Sequence, residues 1–180
     1  MNIFYLDNDP QTCAEMHVDK HCVKMILEYA QLLSTAHRVL DGKQSTRLSK
    51  TGRNQKYWAL SDGRDSLLYS ATHINHPSAI WVRKNQQNYI WLTQLLSELC
   101  KEYTYRYGKI HKCEQIGLVE YLRKNEPKNI PMGPFTEPTP AMPDHYKVSG
   151  DSISSYKNYY LGDKTRMFSW KNRETPAWIS

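Results

Sequence analysis

Four residues whose side chains can do chemistry share one edge of the first long helical pattern: His17, His21, Lys24 and Glu28. On a wheel of about 100° per residue with His17 at zero, His21 falls at about 40°, Lys24 at about 340° and Glu28 at about 20°. Gln31 and Thr35 continue the edge, and apolar residues such as Val18, Cys22, Met25, Ile26, Tyr29, Leu32 and Leu33 cover the rest. A helix this apolar is expected to be buried, so its polar edge either faces water or lines a cleft. In a cleft, Lys24 is flanked one turn back by His21 and one turn on by Glu28. Partial burial lowers a lysine pKa, a neighbouring carboxylate raises it, and such an amine can form a Schiff base while Glu28 or a histidine moves protons.

His17 and His21, spaced i and i+4, can alternatively ligate a metal, with Glu28, His73 or His76 completing the set. No HExxH motif is present, and a cationic Lys24 is unfavourable beside a dication, so no metal is expected. His37, at about 200° on the wheel, is read as a core histidine.

Two further clusters carry basic and aromatic groups. The stretch THINHPSAIWVRKNQQNY holds His73, His76, Ser78, Trp81, Arg83, Lys84 and Asn88. A helix opening after His76 offers free amides to an anion, Arg83 and Lys84 suit a phosphate backbone, and Trp81 is either a stacking ring or core. The third cluster joins EYTYRYGKIHK to the C-terminal SYKNYYLGDKTRMFSWKNR. There Arg106, Lys109 and His111 accompany Tyr156, Tyr159 and Tyr160, and basic side chains interleaved with rings are what a nucleic-acid groove uses.

The elements that position these residues are mostly helical. Asp9 and Pro10 form a cap and first turn, and the pattern runs from there to about Leu40, with Gly42 as a left-handed stop. Residues 41–56 are polar and carry five positive charges, which predicts an exposed loop or flap. Short helices are expected near Tyr57–Leu60 and Ser66–Ala71. A second long helix is expected from Pro77 to about Arg106, closed by Gly108. A third covers about Glu114–Lys124, and a last runs from about Ser152 to Lys171. NIFYL, residues 2–6, is either a strand or a packed N-terminal segment. Between them, residues 127–143 hold six prolines and read as an extended strap, whose Ile130, Met132, Phe135 and Met142 favour docking over disorder. The fold expected is mainly α: a single compact helical domain, residues 1–180, with long first and second helices and this extended proline-rich segment.

Composition narrows the partners. Twenty-four Lys and Arg against 18 Asp and Glu give a formal charge of +6, which suits a polyanion but also simply keeps a protein soluble. Thirteen Tyr and five Trp against three Phe favour rings with a polar tip, which stack on bases or fill cores. Cys13, Cys22, Cys100 and Cys113 form no CxxC pair, which fits reduced, cytoplasmic usage. No apolar run approaches membrane-spanning length and no signal segment opens the chain, so no membrane partner is expected. Oligomeric state is not legible.

With these residues placed, the chain resembles an uncharacterised family common in tailed phages and, more distantly, the phage pyrimidine-dimer DNA glycosylases of endonuclease V type. The shared outline is the short N-terminal segment, the helix with His17 and a charged residue seven positions on, the helix opening at His76 and ending near Arg106-Tyr107-Gly108, and the Tyr-rich YKNYYLGDK. The resemblance implies an all-helical enzyme that uses the N-terminal amine as a Schiff-base nucleophile, with a catalytic Glu in the first helix. Lys24 stands at that Glu position here, and Asn2 favours retention of Met1, so on this reading Lys24 takes the amine role and Glu28 the acid role. The function expected is a DNA glycosylase or abasic-site lyase acting on a damaged or modified base, without a cofactor, in the cytoplasm of an infected bacterial cell. The alternatives are a metal-dependent nuclease or phosphohydrolase using His17 and His21, and a non-catalytic factor that binds DNA, a nucleotide or a host protein.

Overall fold

A computed structural model describes residues 1–179. It is mainly α. The helices are α1 (Pro10–Met16), α2 (Asp19–Asp41), α3 (Arg64–Leu67), α4 (Pro77–Lys84), α5 (Gln86–Tyr107), α6 (Lys112–Gln115), α7 (Leu118–Lys124) and α8 (Ser152–Tyr159). Strands β1 (Lys43–Leu48) and β2 (Asn54–Ala59) pair antiparallel with Lys43 opposite Ala59 and Leu48 opposite Asn54. The core lies where α2 packs on α4 and α5, with α1 and α7 also packed on α5. Ile3, Phe4, Tyr5 and Leu6 are buried in it as an extended segment that pairs with no strand among the described residues.

The expected first helix breaks in two. Asp9 caps α1 by accepting from Thr12 N at 2.9 Å, but the helix stops at His17, whose backbone is extended. The carbonyls that a continuing helix would use are taken by side chains: His17 Nδ1 donates to Cys13 O (2.7 Å), Arg106 to Glu15 O (2.9 Å) and His17 O (2.8 Å), and Trp170 Nε1 to Met16 O (2.9 Å). Carbonyls at a helix end are orphans until something donates to them, and two of these three donors, Arg106 and Trp170, are distant in sequence.

The second long helix also breaks, at Asn85. Its Oδ1 caps α5 through Asn88 N (3.0 Å), while its Nδ2 donates to Pro134 O (3.0 Å) and Gln86 N donates to Pro131 O (2.8 Å). Gly133 lies so close that a Cβ there would sit 3.0 Å from Asn85 Cβ. The proline-rich strap is therefore seated in the break. Asn88 holds it through Thr136 N (2.9 Å) and Trp81 through Thr136 O (3.0 Å). Ile130 and Met142 pack on the core, whereas Met132 is 80% exposed and contributes no docking.

Five further expectations are corrected. Residues 43–56, exposed as expected, are strands on either side of a turn rather than a loop, and Tyr57–Leu60 is not helical, because β2 runs on to Ala59. Gly42 does not adopt a left-handed conformation (φ −87°). It is needed because β2 returns over it, and a Cβ there would meet Arg38 O at 2.5 Å and Ala59 O at 3.0 Å. The third helix divides into α6 and α7 at Gly117. The last helix ends at Tyr159 and continues as a π turn, Tyr160–Lys164, and a 3-10 turn, Thr165–Met167. No helix among the described residues is long and apolar enough to cross a membrane.

Candidate active site

The break after Met16 divides the predicted polar stripe. His17 is fully buried, donating to Cys13 O while Tyr29 OH, itself accepting from Phe4 N, donates to Nε2 at 2.8 Å. Burial, aided by Arg106, pushes its pKa down to about 4. With both nitrogens engaged, His17 can neither ligate a metal nor touch a substrate. Among the described residues no group of three His, Cys, Asp or Glu could hold a metal ion.

His21, Lys24 and Glu28 do meet, in a recess of about 200 Å³ that Met1, Asn2, Phe4, Met25, Tyr159 and Lys164 complete. Glu28 is its centre. Its Oε2 lies 2.9 Å from the Met1 α-amine and its Oε1 lies 3.2 Å from Lys24 Nζ. Burial works to raise the Glu28 pKa, but the Met1 amine and then Lys24 outweigh it and hold the carboxyl below its ordinary value. Lys24 is 70% exposed, so the partial burial expected of it is absent. The Met1 amine, which no periodicity could place here, is brought in by a residue whose side chain is only 9% exposed.

His21 forms the floor. Its ring stacks on Phe4 at 4.0 Å between centroids, and Nδ1 lies 2.7 Å from Tyr160 OH. Burial first, then the charges of His17, Lys164 and Lys24, push its pKa down to about 3. His21 is therefore neutral, which excludes it as a general acid near neutral pH. His76 borders the site electrostatically: burial, the Met1 amine and His73 lower its pKa, and Glu28 opposes them. Its side chain also caps α4 by accepting from Ser78 N at 3.1 Å.

Several residues expected to contact nucleic acid are not accessible to it. Ser78, Trp81 and Asn88 are buried, and the latter two serve the strap. Tyr156 and Tyr160 are fully buried, with Tyr156 OH donating to Thr139 O and Tyr160 bonded to His21. Arg106 is 1% exposed and reaches Glu102 (2.8 Å), Asp19 (3.0 Å) and two carbonyls of the α1–α2 junction, so it is a brace. A solvated arginine and a bracing one look alike in sequence.

His73, Lys84 and Lys109 are exposed, and Arg83, His76, His111 and Tyr159 are half-buried. His111 caps α6 by accepting from Cys113 N. Many surface rings are already covered by the chain's own cations: Lys164 lies over Tyr159 at 4.6 Å, Arg173 over Tyr105 at 4.2 Å and Lys171 over Tyr107 at 5.2 Å. Lys164 enters the recess from the Tyr-rich segment, and alternation of rings and cations there is the only sequence signal that could have drawn attention to it.

Comparison with protein-family models, with curated proteins and with solved structures finds no match to this chain.

Proposed function

We propose that this chain is a nucleic-acid-acting enzyme, a DNA glycosylase and abasic-site lyase that works through an amine held on Glu28. One observation carries the reading: a single half-buried carboxylate is shared by two amines, Met1 N and Lys24 Nζ, with Lys164 beside them. Glu102 is likewise shared, by Arg106 and Arg173, but guanidiniums stay protonated, whereas both partners of Glu28 are amines. A carboxylate between two amines can take the proton that an amine must lose before it attacks.

In this mechanism the amine lone pair forms a bond to the sugar C1′, and the damaged base departs with the electrons of its glycosidic bond and a proton. At a site already abasic, the aldehyde oxygen leaves as water instead. After base loss the C1′–O4′ bond breaks as O4′ takes a proton, so both routes reach an iminium, which acidifies the C2′ hydrogen. Glu28 removes that proton, the electrons form a double bond, and the 3′-phosphate leaves. Water then releases the amine. Met1 makes the shorter of the two contacts to Glu28 and Lys24 is 70% exposed, which favours Met1 as nucleophile and leaves Lys24 and Lys164 to hold phosphate. The recess is smaller than the roughly 300–1,000 Å³ of sites that enclose a ligand. It therefore suits a sugar presented at the edge of a larger molecule, with the base turned out of the stack. The phage setting and the cytoplasm of an infected cell belong to the same proposal.

Incubating the protein with an abasic duplex in EDTA tests this. The expected product is a nicked strand ending in an unsaturated 3′ aldehyde. Absence of nicking, or nicking that EDTA abolishes, overturns it.

A further inference from the structure

The β1–β2 hairpin plays no part in the recess, yet it is the most positively charged element of the chain. Residues 43–56 carry Lys43, Arg47, Lys50, Arg53 and Lys56 and no acidic residue. Every side chain of β1 is exposed. One face is pinned: Tyr57 OH donates to Asp65 at 2.9 Å, and Arg47 stacks on the Tyr57 ring at 3.8 Å and donates to Ser70 Oγ. The register puts Gln44, Thr46, Leu48, Asn54 and Lys56 together on the opposite, open face, with the half-buried Trp58 at its base. Lys43, Lys50, Arg53 and Lys56 have no acidic partner within ion-pair distance among the described residues. Four unpaired cations around a ribbon of amides and a hydroxyl are charge-complementary to a polyanion.

We propose that this ribbon is a duplex-binding arm that inserts its open face into the major groove, with Lys50, Arg53 and Lys56 on flanking phosphates. The major groove, about 12 Å wide, admits a two-stranded ribbon, and amide side chains suit base edges there. A membrane surface fits poorly, because Leu48 is the only fully exposed large apolar side chain on the open face, and interfacial segments need an apolar face. Position supports the assignment. A polar recess of about 680 Å³ beside the middle of the ribbon joins Gln55 and Lys56 to Gln31 of α2, one turn beyond Glu28, so the ribbon stands next to the helix that carries the candidate active site. The inference rests on the reading that the partner is DNA but not on the amine chemistry.

The test is fluorescence anisotropy with a labelled 20-bp duplex, the corresponding single strand and anionic vesicles, across a salt series. The variant is Lys50→Ala/Arg53→Ala/Lys56→Ala, all exposed positions, and its control, with equal charge loss, is Lys101→Ala/Lys124→Ala/Lys147→Ala. The ribbon variant should bind duplex on the order of tenfold or more weakly, with a log–log salt slope shallower by about 2 to 3, since each phosphate contact contributes about 0.9. The single strand should lose less, and the control should stay close to wild type. Unchanged duplex affinity, equal losses on duplex and single strand, equal losses in the control, or tighter binding to vesicles than to duplex would each overturn the arm. Duplex binding through the ribbon without nicking of abasic DNA keeps the arm and removes only the lyase reading.

Discussion

The nitrogen of Met1 and Oε2 of Glu28 lie 2.9 Å apart, and Lys24 occupies the other oxygen of the same carboxylate. The Glu28→Gln variant keeps the shape and loses both the charge and the proton acceptor. Nicking of an abasic duplex should fall by about 10²- to 10⁴-fold, the usual range for a lost general base, while anisotropy still reports duplex binding. Nicking at the wild-type rate would remove Glu28 from the chemistry.

Three buried histidines set the acid limit of the fold. His17 and His37 are pushed down to about 4 and His21 to about 3, in each case first by burial. For a depressed histidine the sign is as follows: above about pH 6.5 both folded and unfolded forms are neutral, and below it only the unfolded chain takes up the proton. Stability is therefore present at pH 7 and falls as pH drops from about 6.5 toward 4. At pH 5 each group costs about 2 kcal/mol on an order-of-magnitude basis. Thermal melts from pH 7.5 to 4.5 should show a steep loss below pH 6.5, and a flat profile over that range would contradict the neutral histidines.

Arg106 binds four acceptors around the α1–α2 junction with almost no solvent. Arg106→Leu should destabilise by about 3 to 5 kcal/mol, because it strands buried partners, and Arg106→Lys should recover only part of this. Urea unfolding measures both. A Leu variant within about 1 kcal/mol of wild type would contradict a bracing role.

Gly42 is where the ribbon meets the body. In Gly42→Ala the added carbon must push against the Arg38 carbonyl, which is backbone and helical. The expected loss is about 1 to 3 kcal/mol, typical of overpacking, accompanied by faster amide exchange in β1 and β2. Exchange confined to other elements would contradict this account of Gly42.

The mainly α fold was legible because periodicity and caps are local: Asp9-Pro10, Gly108 and Asp151 mark ends that the structure keeps. The breaks at His17 and Asn85 were not, since their hydrogen-bond partners, Arg106, Trp170 and the strap, are distant in sequence. The hairpin was hidden because β1 is exposed throughout and β2 over its first half, so they carry no apolar alternation. At the site, the wheel brought Lys24 and Glu28 together correctly because α2 is regular there. It included His17 only by running through a break, and it could not include Met1, which arrives from the buried N-terminal segment.

The central claim is that an amine on Glu28 bonds to the sugar. Borohydride reduction in the presence of abasic duplex, followed by peptide mapping, tests it most directly. The account predicts a stable protein–DNA adduct on the Met1 peptide, or on that of Lys24, greatly diminished in Glu28→Gln. No adduct, or one that maps to another residue and is unchanged in Glu28→Gln, would contradict it.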